Sequence, residues 1–173
     1  MYELVTKLRV TRTKARNLIY ERELRRSKPE DLDERVKEIL RKPLIDKAGK
    51  HFILEVENPL VLDHLRAKVQ ELGHISDGSF SPSIVKLSVS AFVALVEDGL
   101  GDELTTVWKV LVDAGAPDTS FKGIVNAAAA KFAKRVADDA GEAVIKETSA
   151  FFGALVDGSM DRLREVGGKL FGG

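Results

Sequence analysis

Residues 58–88 constrain the fold most, because they carry the signals of a helix, a tight turn and a strand in unbroken succession. Asn58 is a favourable N-cap, Pro59 suits the first helical position, and Gly73 can adopt the left-handed conformation that ends a helix. The apolar residues that recur between them at helical spacing are Leu62, Leu65, Val69 and Leu72. The sequence therefore predicts one short helix here.

A tight hairpin and a returning strand are predicted after this helix. Asp77 and Gly78 tolerate the positive φ of a two-residue turn, and Ile75 and Phe80 are placed to pair across it. Residues 84–87 then form a short strand. Helix, hairpin and strand in this order resemble the recognition helix and wing of the winged-helix superfamily. That resemblance implies a DNA-binding protein.

Helical and strand patterns flank this stretch on both sides. Before it, an amphipathic helix is predicted over residues 31–40, and a hairpin over residues 44–56 with its turn at residues 46–50. After it, apolar residues at helical spacing predict one helix capped by Ser88 and a second capped by Asp102. Helices therefore predominate over strands.

Three segments are predicted along the chain. They are a basic helical or helix-turn-helix-like segment over residues 1–28, a winged-helix-like domain over residues 29–117, and an amphipathic helical region rich in Ala and Gly over residues 118–173. Strands near residues 51–56 and 84–87 are candidate partners in one sheet. The predicted fold class is α+β and mostly helical, with small antiparallel hairpins in the core domain.

The first 28 residues form the basic pole of a chain without net charge. They hold nine Lys and Arg against three Glu, a net charge of +6, so the remaining residues carry −6. Such a pole favours contact with phosphates or another polyanion, and a solvated helix face has the same composition.

Residues 2–20 resemble the helix-turn-helix motif. Its usual buried positions would be filled by Leu4, Val5, Leu8, Val10, Ala15 and Leu18. The resemblance implies that the second helix presents polar and basic side chains to a major groove. The predicted nucleic-acid contacts are Arg9, Arg12, Thr13, Lys14, Arg16 and Asn17. The alternative is a single basic helix over residues 3–26, whose apolar residues alternate spacings of three and four as in a packing seam.

One narrow apolar stripe runs through residues 118–173. Its steps average 3.8 residues from Phe132 to Leu170, which is longer than the 3.6 of a straight helix, so breaks are expected. Gly141, Gly153 and Gly158 suit those breaks. The stripe is covered either by the chain itself, as two or three packed helices, or by a second copy, or by a membrane surface. The predicted interface residues are Phe132, Val136, Val144, Phe151, Leu155 and Leu163.

Signals for catalysis are missing from the sequence. The absence of Cys excludes disulfides, zinc-thiolate sites and thiol catalysis. His51, His64 and His74 stand in no metal-binding spacing, and no glycine-rich phosphate loop is complete. We therefore expect no enzyme activity, no cofactor, no metal and no small-molecule substrate. Neither a membrane-spanning segment nor a signal peptide is indicated, so a cytoplasmic location is expected.

Two functional hypotheses follow. The first is a non-enzymatic nucleic-acid-binding protein, a DNA-binding regulator or the DNA-binding subunit of an assembly, that contacts double-stranded DNA through its basic N-terminal segment and forms homo-oligomers or joins a protein partner. The second is a structural or adaptor protein that oligomerises, or binds a protein partner or a membrane surface, through its C-terminal amphipathic helices.

Overall fold

The computed structural model describes residues 18, 20–22, 26, 28–75, 83–138 and 141–172. Within these ranges it confirms the predicted class, a mostly helical α+β fold with a small antiparallel sheet. In chain order the elements are α1 (Pro29–Leu40), β1 (Leu44–Ile45), β2 (His51–Glu55), α2 (Pro59–Glu71), β3 (Ile84–Ser88), α3 (Val89–Leu100), a 3-10 turn (Gly101–Glu103), α4 (Leu104–Asp113), α5 (Phe121–Asp138), α6 (Glu142–Asp157) and α7 (Met160–Phe171).

The predicted caps of α2 and α3 are confirmed. The side chain of Asn58 accepts a hydrogen bond from the N–H of Leu60 at 2.9 Å, and Gly73 ends α2 at a φ of +81°. The Oγ of Ser88 accepts from the N–H of Ala91 at 3.1 Å. These side chains satisfy donors that have no partner within the first helical turn, so local sequence fixes both helix starts. The cap predicted at Asp102 is not formed, because that residue lies within the 3-10 turn before α4.

The three strands lie in the order β1–β2–β3, and both pairs are antiparallel. The predicted hairpin over residues 44–56 is confirmed, and so is the pairing of residues 51–56 with residues 84–87. Along β2 the side chains alternate between the two faces of the sheet: Phe52 and Leu54 are fully buried, and the residues between them are not. One face therefore covers the core.

Five phenylalanines form the centre of the core. Phe52 of β2 stacks on Phe92 of α3 with ring centroids 4.1 Å apart, and Phe152 of α6 meets these two rings edge-on at 5.2 and 5.6 Å. Phe132 of α5 and Phe151 of α6 continue the cluster. The core thus takes side chains from both sides of residue 117, so the boundary predicted there does not separate two cores.

The described residues of the segment 118–173 form three helices, one of the arrangements predicted for the apolar stripe. Gly141 precedes α6, and Gly158 ends it in the left-handed conformation at a φ of +64°. Gly153 lies inside α6 and causes no break. The chain therefore turns back at two of the three expected glycines.

Two predictions lie outside the described residues. The turn at Asp77 and Gly78 is one of them, although Ile75, which is described, is 88% exposed. The helix-turn-helix-like segment is the other, and its described residues Leu18 and Tyr20 are helical. The wing and the helix-turn-helix motif both stay predictions.

Candidate functional site

The residues predicted to contact nucleic acid all lie outside the described part of the chain. They are Arg9, Arg12, Thr13, Lys14, Arg16 and Asn17. A described contact lies just after them, where the Tyr20 hydroxyl donates a hydrogen bond to Oδ2 of Asp63 on α2 at 2.7 Å. This bond raises the pKa of the Tyr20 phenol, because the carboxylate holds its proton. The basic segment is thus linked at Tyr20 to the body of the protein.

The predicted interface stripe is covered by the chain itself. Phe151, Leu155 and Leu163 are at most 1% exposed, and Phe132 and Val144 are also buried. The reversals at the ends of α6 fold the stripe against the sheet and α3, which is the physical reason that it is not a free surface. The interface prediction therefore needs correction for these five residues. The sixth, Val136, is half-buried.

An apolar groove of about 340 Å³ lies between β1 and the helices α5 and α6. Leu44 and Ile145 at its rim are 48% and 50% exposed, whereas Phe132 is only 2% exposed. We call this surface the β1 groove. Its lining residues are Lys42, Pro43, Leu44, Ile45, Phe132, Val136, Ile145, Thr148 and Ser149. Large aliphatic side chains beside a concave apolar surface are the usual composition of a binding site.

The residues of one wall of the β1 groove were predicted from the sequence to be apolar interface residues, and the residues of its rim were not. Phe132 and Val136 belong to the predicted stripe, and the structure places both in the groove. Leu44 was not predicted as a site residue, because it belongs to a strand of two residues, which is too short to show an alternating pattern. Ile145 follows the buried Val144 directly and so lies off the stripe. The available signal was an aliphatic residue on the polar side of an amphipathic helix.

The Gly49 turn holds β1 against α5. Gly49 has a φ of +67°, and a Cβ atom built there would lie 3.2 Å from Cα of Ala130 and 3.3 Å from Cβ of Ala133. Only a glycine fits this close approach without a shift. Asp46 fixes the same turn, since its Oδ1 accepts from the N–H of Lys50 at 2.9 Å. The β1 groove is therefore built on a rigidly packed hairpin.

A polar cleft of about 560 Å³ lies between α1, the end of α3 and α6. Its charged residues are Glu34, Lys37, Arg41, Asp102, Glu103 and Asp157. Nε of Arg41 donates to Oδ1 of Asp157 at 2.7 Å across it. No group of His, Cys, Asp and Glu suited to holding a metal ion occurs among the described residues. Paired surface charges of this kind join helices and are weak evidence of chemistry.

A network of charged side chains connects α1, α2 and α3. Oδ1 of Asp33 lies 2.7 Å from Nε2 of His64 and 2.8 Å from Nζ of Lys68, which is 3.6 Å from Asp98. Burial alone would raise the pKa of Asp33, but the hydrogen bonds from His64 and Lys68 lower it. Burial also opposes the charge on Lys68, yet its bonds to the carboxylates raise its pKa. The network therefore stabilises the charged forms.

We expect Asp33→Asn to lower the free energy of unfolding by about 0.5–1 kcal/mol at pH 7, because the pair is partly exposed and screened. The folded pKa of Asp33 lies below its ordinary value of 3.8, so the stabilisation is present above that pH and is lost as the pH falls through the folded pKa. Urea denaturation between pH 7 and pH 3 measures the difference. Glu38→Gln, exposed on the same helix, is the control, and a pH-independent difference would contradict the expectation.

No helix in the described ranges is long and apolar enough to cross a bilayer. Comparison of the chain with models of protein families, with curated proteins and with solved structures finds no match. The features of the molecule that bear on function are therefore the geometry of the β1 groove and the distribution of charge.

Proposed function

We propose that the protein is a non-enzymatic interaction protein that binds an apolar segment of a protein partner in the β1 groove. The observation that carries this proposal is the exposure of Leu44 and Ile145, each close to one half, beside a concave surface that includes Phe132. Covering aliphatic area of this kind releases about 25 cal/mol per Å². This is the adaptor hypothesis, moved from the C-terminal stripe to a surface that the fold leaves open.

The charged groups of the described residues support a binding role better than a catalytic one. The lowered pKa of Asp33 is explained by its hydrogen bonds with His64 and Lys68, and the raised pKa of Lys68 by its bonds to Asp33 and Asp98, all within one partly exposed network. Ion pairs with a purely structural role shift pKa values in the same way, so these shifts do not indicate catalysis. The β1 groove itself is walled mainly by aliphatic and aromatic side chains.

We expect a photoreactive benzoylphenylalanine at position 145 to form a discrete cross-linked adduct with the partner in cells. The same group at position 146, where Lys146 is exposed on the same helix, is the matched control. Leu44→Asp should abolish the adduct, because a charge at the rim disfavours an apolar ligand, and it should change the free energy of unfolding by only about 0.5 kcal/mol.

The outcome that contradicts the proposal is equally specific. Position 146 would give the same adducts as position 145, or the adduct would survive Leu44→Asp in a chain that still melts as wild type does. An adduct with a second copy of this chain would mean that the β1 groove is an interface of a homo-oligomer, and it would contradict the proposal of a separate protein partner.

A second candidate function, contact with double-stranded DNA through the basic N-terminal segment, is favoured by the charge distribution. Residues 1–28 carry +6 and the rest of the chain −6. Six acidic residues between Glu97 and Asp118 face only Lys109 as a counter-charge in that stretch. An acidic body repels phosphates, so electrostatics would present the basic segment to the duplex.

We expect the combined change Arg12→Ala, Lys14→Ala and Arg16→Ala to weaken duplex binding and to flatten its salt dependence. Removing one cationic side chain from a phosphate reduces the slope of log K against log salt by about 0.9, because one fewer set of counterions is released on binding. Fluorescence anisotropy with random-sequence duplex at two salt concentrations measures both effects.

The matched control removes three positive charges from the body, as Lys109→Ala, Lys122→Ala and Lys134→Ala. These three side chains are exposed. Equal weakening by the two triple variants would assign the effect to net charge, and absence of salt-dependent binding by wild type would exclude this function.

A further inference from the structure

We infer that the partner segment binds in an extended conformation, as an added strand on the free edge of β1, and that Ile45 supplies the main-chain contacts. This inference rests on the proposed function of the β1 groove and specifies the ligand class. The ligand is a peptide segment with aliphatic or β-branched side chains at alternate positions, because those residues favour strands and alternate between the two faces.

The register of the hairpin leaves the hydrogen-bonding groups of Ile45 pointing away from β2. The N–H of Asp46 donates to the carbonyl oxygen of His51 at 3.1 Å, and the N–H of His51 donates to Oδ1 of Asp46 at 3.2 Å, so Asp46 and His51 occupy a bonded position of the ladder. Bonded and non-bonded pairs alternate along an antiparallel ladder. Ile45 and Phe52 are therefore a non-bonded pair, and the N–H and C=O of Ile45 face the outer edge of the sheet.

The outer edge of β1 has no strand paired with it in the described part of the protein. β1 is the first strand of the sheet order, and no other described backbone segment hydrogen-bonds to Ile45. The β1 groove lies at this edge, since Ile45 is one of its lining residues. The outward N–H and C=O of Ile45 can pair with the C=O and N–H of an extended peptide, and the β1 groove beside them can take its apolar side chains. Strand addition of this kind is a common mode of peptide recognition.

The free backbone groups of Ile45 favour an extended chain over a helix. The N–H and C=O groups of a helix are bonded within the helix, so a helix in the groove would leave the edge groups of Ile45 without partners. An added strand would pair with them, and its alternate side chains would lie toward Phe132 and between the rim residues Leu44 and Ile145.

The opposite edge of the sheet is a poorer template. β3 carries the exposed Lys86, which pairs with Ile53 in the register. A lysine on an edge strand discourages further pairing. Ile45, in contrast, lies among aliphatic side chains, so strand addition is favoured at β1.

The test begins with hydrogen exchange on the dilute chain. The amide of Ile45 should exchange rapidly, whereas the amide of Leu44, which belongs to a bonded pair, should be protected. Protection of Ile45 in the dilute chain would mean that its edge is already occupied, and protection that grows with chain concentration would identify a second copy as the occupant. Either result overturns the inference.

The second part selects random seven-residue peptides displayed on phage against the wild-type chain, with Ile145→Asp for counter-selection. We expect enriched peptides with alternating aliphatic residues, which as synthetic peptides protect the Ile45 amide. An added strand bonds to β1 through the N–H groups of alternate peptide residues. N-methylation of those residues should weaken binding about tenfold, and N-methylation of the residues between them should leave binding unchanged.

Two outcomes separate this inference from the proposed function. Peptides that require Ile145 but neither protect Ile45 nor show an alternating N-methylation pattern would overturn strand addition and leave the β1 groove as a binding site. No enrichment over the Ile145→Asp variant would overturn both.

Discussion

Removal of residues 118–173 is expected to abolish the cooperative unfolding transition of the chain. In the structure, Phe152 of α6 fills the space between Phe52 and Phe92, and its loss would open the centre of the core to water. Ile124 and Val125 of α5 are fully buried and would be removed with it. The contact of Phe92 in α3 with Phe52 would remain on the inner face of the sheet, but the contacts that α5 and α6 make with this core would all be lost.

The magnitude follows from the number of buried side chains. Residues 118–173 contribute 15 buried apolar side chains among those described. Burial of one large aliphatic or aromatic side chain stabilises a fold by about 1.5–3 kcal/mol, and a whole domain is stable by only about 5–15 kcal/mol. Eleven of these side chains are larger than alanine, and the loss of all of them together exceeds that margin, so the shortened chain should be unfolded or molten.

Circular dichroism and calorimetry should show no cooperative transition for residues 1–117, and the fragment should bind a dye specific for exposed apolar surface. Mixing it with a separately produced fragment of residues 118–173 should restore the transition, because the two pieces share one core. A cooperative melt of residues 1–117 alone would contradict this expectation and restore the boundary predicted from the sequence.

Features that depend on neighbouring residues were predictable from the sequence. The caps at Asn58 and Ser88 were correct because each side chain meets a backbone N–H within three residues. The hairpin over residues 44–56 was correct because alternation and turn residues specify it locally. Short-range hydrogen bonding and periodicity determine these elements, and their prediction does not require knowledge of the residues that pack against them.

The packing partner of each apolar face was not predictable in the same way. An apolar stripe from Phe132 to Leu170 shows that something must cover it, but not whether the cover is the same chain, another copy or a lipid surface. The glycine and proline before residue 118 mark a turn, and a turn does not distinguish a linker from a tight connection within one core. Burial is a property of the folded chain, since it depends on contacts distant in sequence.

The β1 groove shows the same limit at the level of a site. Phe132 and Val136 were recognised as apolar, yet Leu44 lies about ninety residues away in sequence and reaches the same groove only through the packing of the Gly49 turn on α5. Ile145 was not predicted as a site residue, because it follows the buried Val144 and lies outside the apolar stripe. A concave site assembled from β1 and from two helices much later in the chain leaves little trace in the order of residues.

Phe152→Ala is expected to lower the free energy of unfolding by about 3–5 kcal/mol, a large effect for a single substitution. Phe152 is fully buried and meets Phe52, Phe92 and Phe151 edge-on at 5.2, 5.6 and 5.2 Å. Truncation removes the transfer free energy of the ring and leaves a cavity bounded by aromatic rings that cannot all move inward. Urea denaturation at pH 7 measures the change from the transition midpoint at constant slope.

The matched control is Phe171→Ala at the edge of the same aromatic cluster. Phe171 is only partly buried, its ring lies 6.1 Å from that of Phe151, and Nζ of Lys131 lies 5.3 Å above it. Its loss should cost about 1 kcal/mol, because solvent can occupy the space. Phe152→Leu should fall between the two, since it retains most of the buried area. Equal losses for Phe152→Ala and Phe171→Ala would show that the ring of Phe152 does not occupy the centre of the shared core.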